Sequence, residues 1–355
     1  MYTNYVGGTA KNSMGRTKQY TIKDVAKEAG VSITTISRYL SGQFQYMSKD
    51  TRERISTVIN EFDYHPSLLA RGLKSRKSCL IGVVMPHVHT PMSSHSIRGV
   101  CMACANTQFY NPVFVSIEDD VSIEPNKIQK LIDHRVEGIL SFTGSSEEYY
   151  RDVVNDGIPV VCVDRYSQDC KLDGVYINHY DVVYESLVNL IDSGYTKIAL
   201  FSSINHIHDS SSTIKIRENS YRDFVRKHLK NQGEIVYSIE ENDIEDIKSK
   251  IMHFINRFPK KRKAIFVSAM SGLATLDWVC KCLGLSYPED IAVYGYAIQG
   301  DISALYSGLT TIAQPLLEMS QIAFDLLIKR IDRVNLSYPQ RIVVPAELII
   351  RKSTL

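Results

Sequence analysis

Six of seven consecutive positions, Ser32, Ile33, Thr34, Thr35, Ser37 and Arg38, put hydroxyls, one guanidinium and one branched apolar group on a single short segment. Together they have the chemistry to read a DNA duplex. A guanidinium pairs bidentately with guanine O6 and N7, an isoleucine touches a thymine methyl, and hydroxyls meet base edges or phosphates. Arg38 is the best candidate reader, with Ile33, Thr34 and Ser37 facing outward beside it. Ser32 and Thr35 are assigned to phosphates, and Thr21, at the head of the preceding segment, joins the DNA contacts.

Spacing specifies the elements that must hold these residues. Thr21 followed by Asp24 is a capping arrangement, and Ile22, Val25, Ala26 and Ala29 share one face, which predicts a helix from about 22 to 29. Gly30 can leave that helix in a left-handed conformation, Val31 can tuck inward, and Ser32 can cap a second helix with apolar Ile36, Tyr39 and Leu40. This is helix-turn-helix spacing, in which the second helix enters the major groove with its N-terminal residues toward base edges. A helical hairpin in an ordinary core fits the same pattern. Ser48 then caps a third helix, Lys49 to Phe62, with Thr51, Ile55, Val58, Ile59 and Phe62 inward, closing a three-helix head.

Charge follows the same division. Between Lys18 and Ser78 eleven basic residues face six acidic ones, a surplus of five. The whole 355-residue chain carries only +2, and Lys11 and Arg16 lie ahead of that stretch, so the chain from Cys79 onward has a deficit of five. A basic footprint confined to the head is what phosphate contact requires, although a solvated basic face gives the same count.

The opening 19 residues are polar and read as a disordered arm without the apolar core of an export signal. No run of 18 apolar residues is present, and the expected location is the cytoplasm. Seven cysteines are an odd number, several within apolar runs, as expected of reduced, packed thiols; Cys101 and Cys104, and Cys280 and Cys282, fall in helical stretches and read as packing residues.

From Leu80, short apolar runs at 80–85, 113–117, 138–142, 160–163, 197–201, 264–268 and 291–295 alternate with helical stretches, which predicts buried parallel strands in two doubly wound sheets. MPHVHTP follows the first strand where a dinucleotide site would need G-x-G-x-x-G, and no nucleophile, acid–base pair or phosphate cradle stands out. Neither a cofactor nor an enzyme is expected.

The segment YHPSLLARGLKSRKS, Tyr64 to Ser78, makes a resemblance specific: head and linker resemble the LacI family of bacterial transcription regulators. IGVVMP, HRVEGIL, GIPVVCVDR, DSGYTKIALF, PEDIAVYGY, GLTTIAQPLLEM and PAELIIRKS continue it in order through nearly the whole chain after residue 20. The resemblance implies a hinge helix starting near Pro66, matched by Leu68, Leu69, Ala70, Arg71 and Leu73. Leu73 would be wedged between minor-groove base steps; unstacking costs about a few kcal/mol, and the bent duplex meets more protein. Packing of Leu73 on the following domain is the alternative. The implied fold is an all-α helix-turn-helix head plus α/β, with two lobes of periplasmic-binding-protein type. Its divisions are an arm over 1–19, the head over 20–64, the hinge over 65–78 and a two-lobed domain over 79–355. Lobe 1 takes about 79–177 and 309–337, lobe 2 takes 178–308 and 338–355, and an effector binds between them. The implied protein is a homodimeric repressor on a palindromic operator, with no membrane contact.

This sequence departs from the family in the cleft. Arg217, in IRENSYRDF, stands where the resemblance implies an effector-binding arginine, and Asp164 with Arg165 keeps the VDR ending of a cleft-facing strand. Three polar positions are lost: Ala269-Met270 and Ala297-Ile298 replace Asn-Asp and Asp-Asp, and His87 with Thr90-Pro91-Met92 replaces Asp and Asn-Pro-Phe. A buried sugar hydroxyl without a partner costs about 1 to 3 kcal/mol, so the expected effector is less polar or anionic. The alternatives are a cleft that is mainly structural, in a regulator controlled by a protein partner, and an Arg217 that forms a lobe-closing ion pair. Pairs His87/His89 and His206/His208 follow the first strands of the two lobes, a spacing able to gate closure with Zn or Ni, although plain polar loops have it too. The loop Gln43–Tyr46 is one residue longer than the common family spacing, which affects phosphate contacts from that loop.

Overall fold

A computed structural model describes residues 20–40, 42–64, 78–107, 109–118, 120–144, 147–165, 170–203, 213–230, 232–240, 242–299, 308–335 and 337–355. The chain divides into two compact units, residues 1–78 and 79–355. The hinge segment with Leu73, the arm over 1–19, and His206 and His208 lie outside the described residues.

The first unit contains α1 (Ile22–Glu28), α2 (Ile33–Leu40), a 3-10 turn at Phe44–Tyr46 and α3 (Lys49–Glu61). Each start is fixed by a short polar side chain. Thr21 accepts from the Asp24 N–H at 3.4 Å while Asp24 Oδ2 accepts from the Thr21 N–H at 2.8 Å, a complete capping box. Thr35 N–H donates to Ser32 Oγ at 3.1 Å, and Thr51 N–H to Ser48 Oγ at 3.2 Å. Gly30, at φ +64°, makes the turn between α1 and α2. Val25, Ala26, Ala29, Ile36, Ile55 and Val58 form the buried centre, with Val31, Tyr39, Leu40, Met47 and Phe62 packed round it.

The second unit has two six-stranded sheets. Sheet 1 holds β1 (Leu80–Met85), β2 (Asn111–Ser116), β3 (Gly138–Ser141), β4 (Val160–Val163), β5 (Asp173–Ile177) and β11 (Arg341–Val344), all parallel in the order β11-β5-β4-β3-β1-β2. Sheet 2 holds β6 (Lys197–Ser203), β7 (Val236–Ile239), β8 (Lys263–Val267), β9 (Ala292–Ile298), β10 (Thr310–Gln314) and β12 (Glu347–Ile349) in the order β12-β10-β9-β8-β6-β7, with β12 antiparallel. The central strands are buried apolar runs, as strands covered on both faces require.

Helices α4 (Pro91–Thr107), α5 (Glu124–Asp133) and α6 (Glu147–Asn155) follow strands of sheet 1, while α7 (His179–Asp192), α8 (Thr213–His228), α9 (Ile244–Arg257) and α10 (Met270–Cys282) belong with sheet 2. Helix α11 (Leu316–Ile331) follows β10 of sheet 2 yet packs on α4 and sheet 1. Between sheets the chain therefore crosses after Ile177, after Gln314 and after Val344. The second and third crossings correct the positions expected near 309 and 337. TTIAQ is a fully buried run that completes sheet 2 beside β9, and RIVV adds an edge strand beside β5. Asp173 secures the last return: it accepts from Arg330 Nε at 2.7 Å and Nη2 at 3.0 Å, and from the Gln340 N–H at 2.7 Å.

All seven cysteines are free, and burial pushes the thiols of Cys104, Cys170 and Cys280 up to about 12. The buried thiols of Cys104, Cys162, Cys170 and Cys280 are packing groups, whereas Cys101 and Cys282, expected to pack as well, lie on the outward faces of their helices and are exposed. Among the described residues no helix is long and apolar enough to cross a membrane.

Candidate functional site

Helix α2 presents one apolar stripe to the head's core through Ile36, which leaves the start of the helix outward. Ile33 is 43% exposed, Thr34 and Arg38 are exposed, and Ser37 is half-buried. Ser32 and Thr35 are joined by a 2.9 Å hydroxyl bond, and the Thr21 hydroxyl donates to Asp24 Oδ2 at 2.7 Å. The Arg38 guanidinium lies over the Tyr46 ring, 5.0 Å from its centroid. These outward groups offer a guanidinium, hydroxyls and one apolar side chain to a groove.

The second candidate site is a polar cluster between the sheets, at strand C-terminal ends, where open parallel sheets present ligand sites. Asp164 follows β4 and adopts φ +63°, a conformation that Asp tolerates better than most residues. His179 opens α7 just after the first crossing, Arg217 lies in α8, Ser268 follows β8, Tyr296 is in β9 and Gln314 ends β10. All six are at least nine-tenths buried.

Their hydrogen bonds fix the chemistry. His179 Nε2 is 3.1 Å from Asp164 Oδ1, and His179 Nδ1 is 3.1 Å from the Tyr296 hydroxyl and 3.4 Å from Arg217 Nε. A carboxylate only accepts, so the imidazole proton sits on Nε2, and Nδ1 accepts from the tyrosine and the arginine. Burial, followed by the nearby Arg217 charge, pushes the His179 pKa below its ordinary value, against the opposing pull of Asp164. For Asp164 burial acts upward, but the hydrogen bond from His179 and the charges around it prevail and its pKa is lowered. The pair is thus a carboxylate and a neutral imidazole at neutral pH.

Arg217 stacks on Tyr296 at 3.5 Å, donates from Nη1 to the Ser268 carbonyl at 2.6 Å and from Nη2 to Gln314 Oε1 at 3.4 Å. Among the described residues it forms no direct ion pair with a carboxylate, and it meets Asp164 through His179. Gln314 Nε2 and Ser203 Oγ, both buried, have no hydrogen-bond partner among the described residues. Ser203 adjoins the same group, because its N–H donates to Ser268 Oγ at 3.1 Å.

Of the effector residues expected from sequence, Asp164 and Arg217 come into one cluster, and Arg165 stands half-buried one position beyond. Met270, Ala297 and Ile298 are buried and apolar. The rings of His87 and His89 lie 5.3 Å apart, and among the described residues no three metal-ligating side chains are grouped. Sequence reasoning missed His179, Tyr296, Gln314, Ser203 and Ser268. A sheet crossing placed at 315 would have marked Gln314 as a strand end facing the cleft; His179 carried the same signal, as the second residue past the crossing at 177.

A helix-turn-helix head joined to a two-sheet domain of this topology points to a DNA-binding transcriptional regulator as the class. Comparison narrows it. Residues 21–67 match the family model "Bacterial regulatory proteins, lacI family" and residues 188–354 match "Periplasmic binding protein-like domain". The chain is 33% identical over 348 residues to the HTH-type transcriptional regulator KdgR of Bacillus subtilis, covering 97% of this chain and 99% of that protein. It is 27% identical over 331 residues to the sucrose operon repressor of Pediococcus pentosaceus, covering 92% and 97%. In fold it is similar to the lac repressor dimer bound to operator and the anti-inducer ONPF, with TM-score 0.80, 22% identity and coverage of 95% and 100%. The chain belongs to the LacI family: it is a DNA-binding transcriptional regulator, in a family of regulators rather than enzymes.

Proposed function

We propose that the protein is a dimeric cytoplasmic repressor of a carbohydrate or related metabolic operon, whose grip on a palindromic operator is set by a small anionic effector in the interlobe cluster. Arg38 reads a guanine, Thr34 and Ser37 meet adjacent base edges, Ile33 meets a thymine methyl, and Ser32, Thr35 and Thr21 contact the backbone. Leu73, outside the described residues, is the minor-groove wedge. The divisions that go with this reading are the head over 20–64, the hinge over 65–78 and the effector domain from 79.

One observation carries the effector reading: Gln314 Nε2 and Ser203 Oγ, buried and without a hydrogen-bond partner among the described residues, belong to the group of side chains gathered round a buried Arg217. Each unpaired group costs about 1–3 kcal/mol, a cost that a ligand oxygen removes. A carboxylate suits a guanidinium, while Met270, Ala297 and Ile298, buried near it in sequence and sheet, offer no polar side chain to the hydroxyls of a neutral sugar. Asp164 and Arg165 supply the lobe 1 side. An effector that prefers one lobe arrangement shifts the heads between gripping and releasing states, and operator binding alters effector affinity by the same factor.

Thermal-shift screening of the full chain against sugar acids, other carboxylates and neutral sugars tests this. A true effector at 100 times its Kd adds about 2.7 kcal/mol of stability. Stabilisation by carboxylates that Arg217→Met abolishes supports the reading; silence from every acid favours control by a protein partner.

A further inference from the structure

We infer that the turn Phe44–Tyr46 is a positioning device for base recognition, in which the Tyr46 ring holds the Arg38 guanidinium at the reading face. The inference rests on the reading of Arg38 as the residue that contacts a base.

Gly42, at φ +71°, ends α2 in the left-handed conformation; its N–H donates to the Tyr39 carbonyl at 3.0 Å and the Gln43 N–H donates to the Arg38 carbonyl at 3.0 Å. This helix-ending motif folds the chain back over the residue that it must position. The 3-10 turn that follows is held from three sides. Tyr39 meets Phe44 edge-on at 5.6 Å, Arg52 of α3 lies over the Phe44 ring at 3.8 Å, and Met47 packs on the head's core. Tyr46 is thereby fixed beside Arg38 although it is 62% exposed.

A large aromatic exposed to that degree contributes little to the core of the head. Over its ring, however, a guanidinium is attracted to the π face while its in-plane N–H groups stay free for the edge of a guanine. An arginine left to rotate freely must be ordered when it binds, and ordering it beforehand sharpens discrimination at the one base pair that it reads. Tyr46 is thus a positioning residue acting through Arg38.

The test is selection of binding sites from a random duplex pool by the full chain, followed by competition binding of the selected site and its single-base-pair variants. Wild type, Arg38→Ala, Tyr46→Ala, Tyr46→Leu and Tyr46→Phe are compared. The ratio of affinities within one variant is independent of how much of it is folded. The expected result is that Tyr46→Ala and Tyr46→Leu each lose about two- to five-fold in discrimination, the worth of an exposed cation–π contact. That loss falls at the base pair that Arg38→Ala relaxes and nowhere else, and Tyr46→Phe retains the wild-type ratio. If Tyr46→Ala and Tyr46→Leu weaken all duplexes alike with ratios unchanged, the positioning role is overturned while the Arg38 reading stands. If Arg38→Ala relaxes no base pair, both are wrong.

Discussion

Lowering the pH from 8 to about 5.5 should cost this protein stability through one imidazole. In the fold His179 is neutral, pinned between Asp164 on Nε2 and the Tyr296 and Arg217 donors on Nδ1, and its pKa lies below the ordinary 6.5. In the unfolded chain the imidazole titrates normally. Below 6.5 the unfolded state takes up a proton that the folded state refuses, so stability is complete above 6.5 and falls as the pH falls. At pH 5.5 the unfolded-state protonation alone sets a ceiling of about 1.4 kcal/mol on that loss. Asp164 does not obscure the window. Its lowered pKa contributes stability that is present above the ordinary 3.8 and lost only at more acid pH. Urea unfolding of the full chain, followed by far-ultraviolet circular dichroism at both pH values, should show wild type losing more than His179→Gln, which cannot titrate, by up to about 1.4 kcal/mol. Equal losses in the two proteins would refute the neutral, Nε2-protonated assignment.

Three further outcomes follow from named contacts. Arg330→Met leaves Asp173, 1% exposed, without its bidentate partner and should cost about 3–5 kcal/mol of effector-unit stability in denaturant titration, while removal of both charges costs less. Ile55→Ala empties a fully buried site in a small head and should cost about 2–5 kcal/mol, read as loss of duplex binding with the main thermal transition of the large unit in place. Ser48→Ala removes the cap of α3 and should lower the head's stability by about 1 kcal/mol, measured by amide exchange within Lys49–Glu61.

The head was legible because local signals agreed there. Thr21, Ser32 and Ser48 cap where their residue types and spacing require, and Ile36 and Ile55 fall on the faces that the helical period assigns. The alternating strands and helices of the two lobes were legible for the same reason. Sheet membership of the late segments was not. A short run such as TTIAQ carries no mark of which sheet it joins, because parallel pairing with β9 is a tertiary choice. The interlobe cluster was half legible. Arg217 and Asp164 were found through motif position, whereas Tyr296 lies within an apolar run, Gln314 ends one, and His179 opens a helix like many others. Their meeting depends on the first crossing of the chain, after Ile177, and on the pairing of β8, β9 and β10 within sheet 2. The pairing of Tyr46 with Arg38 was equally hidden, since it depends on the turn made by Gly42.

The central claim is that sequence-selective DNA binding resides in the first unit and is adjusted by the second. Fluorescence anisotropy with a palindromic duplex selected by the full chain tests it most directly, comparing that chain with one that begins at Cys79. The account predicts tight, salt-dependent, selective binding by the full chain and none by the shortened one. Binding of equal affinity and selectivity by the chain from Cys79 would contradict it.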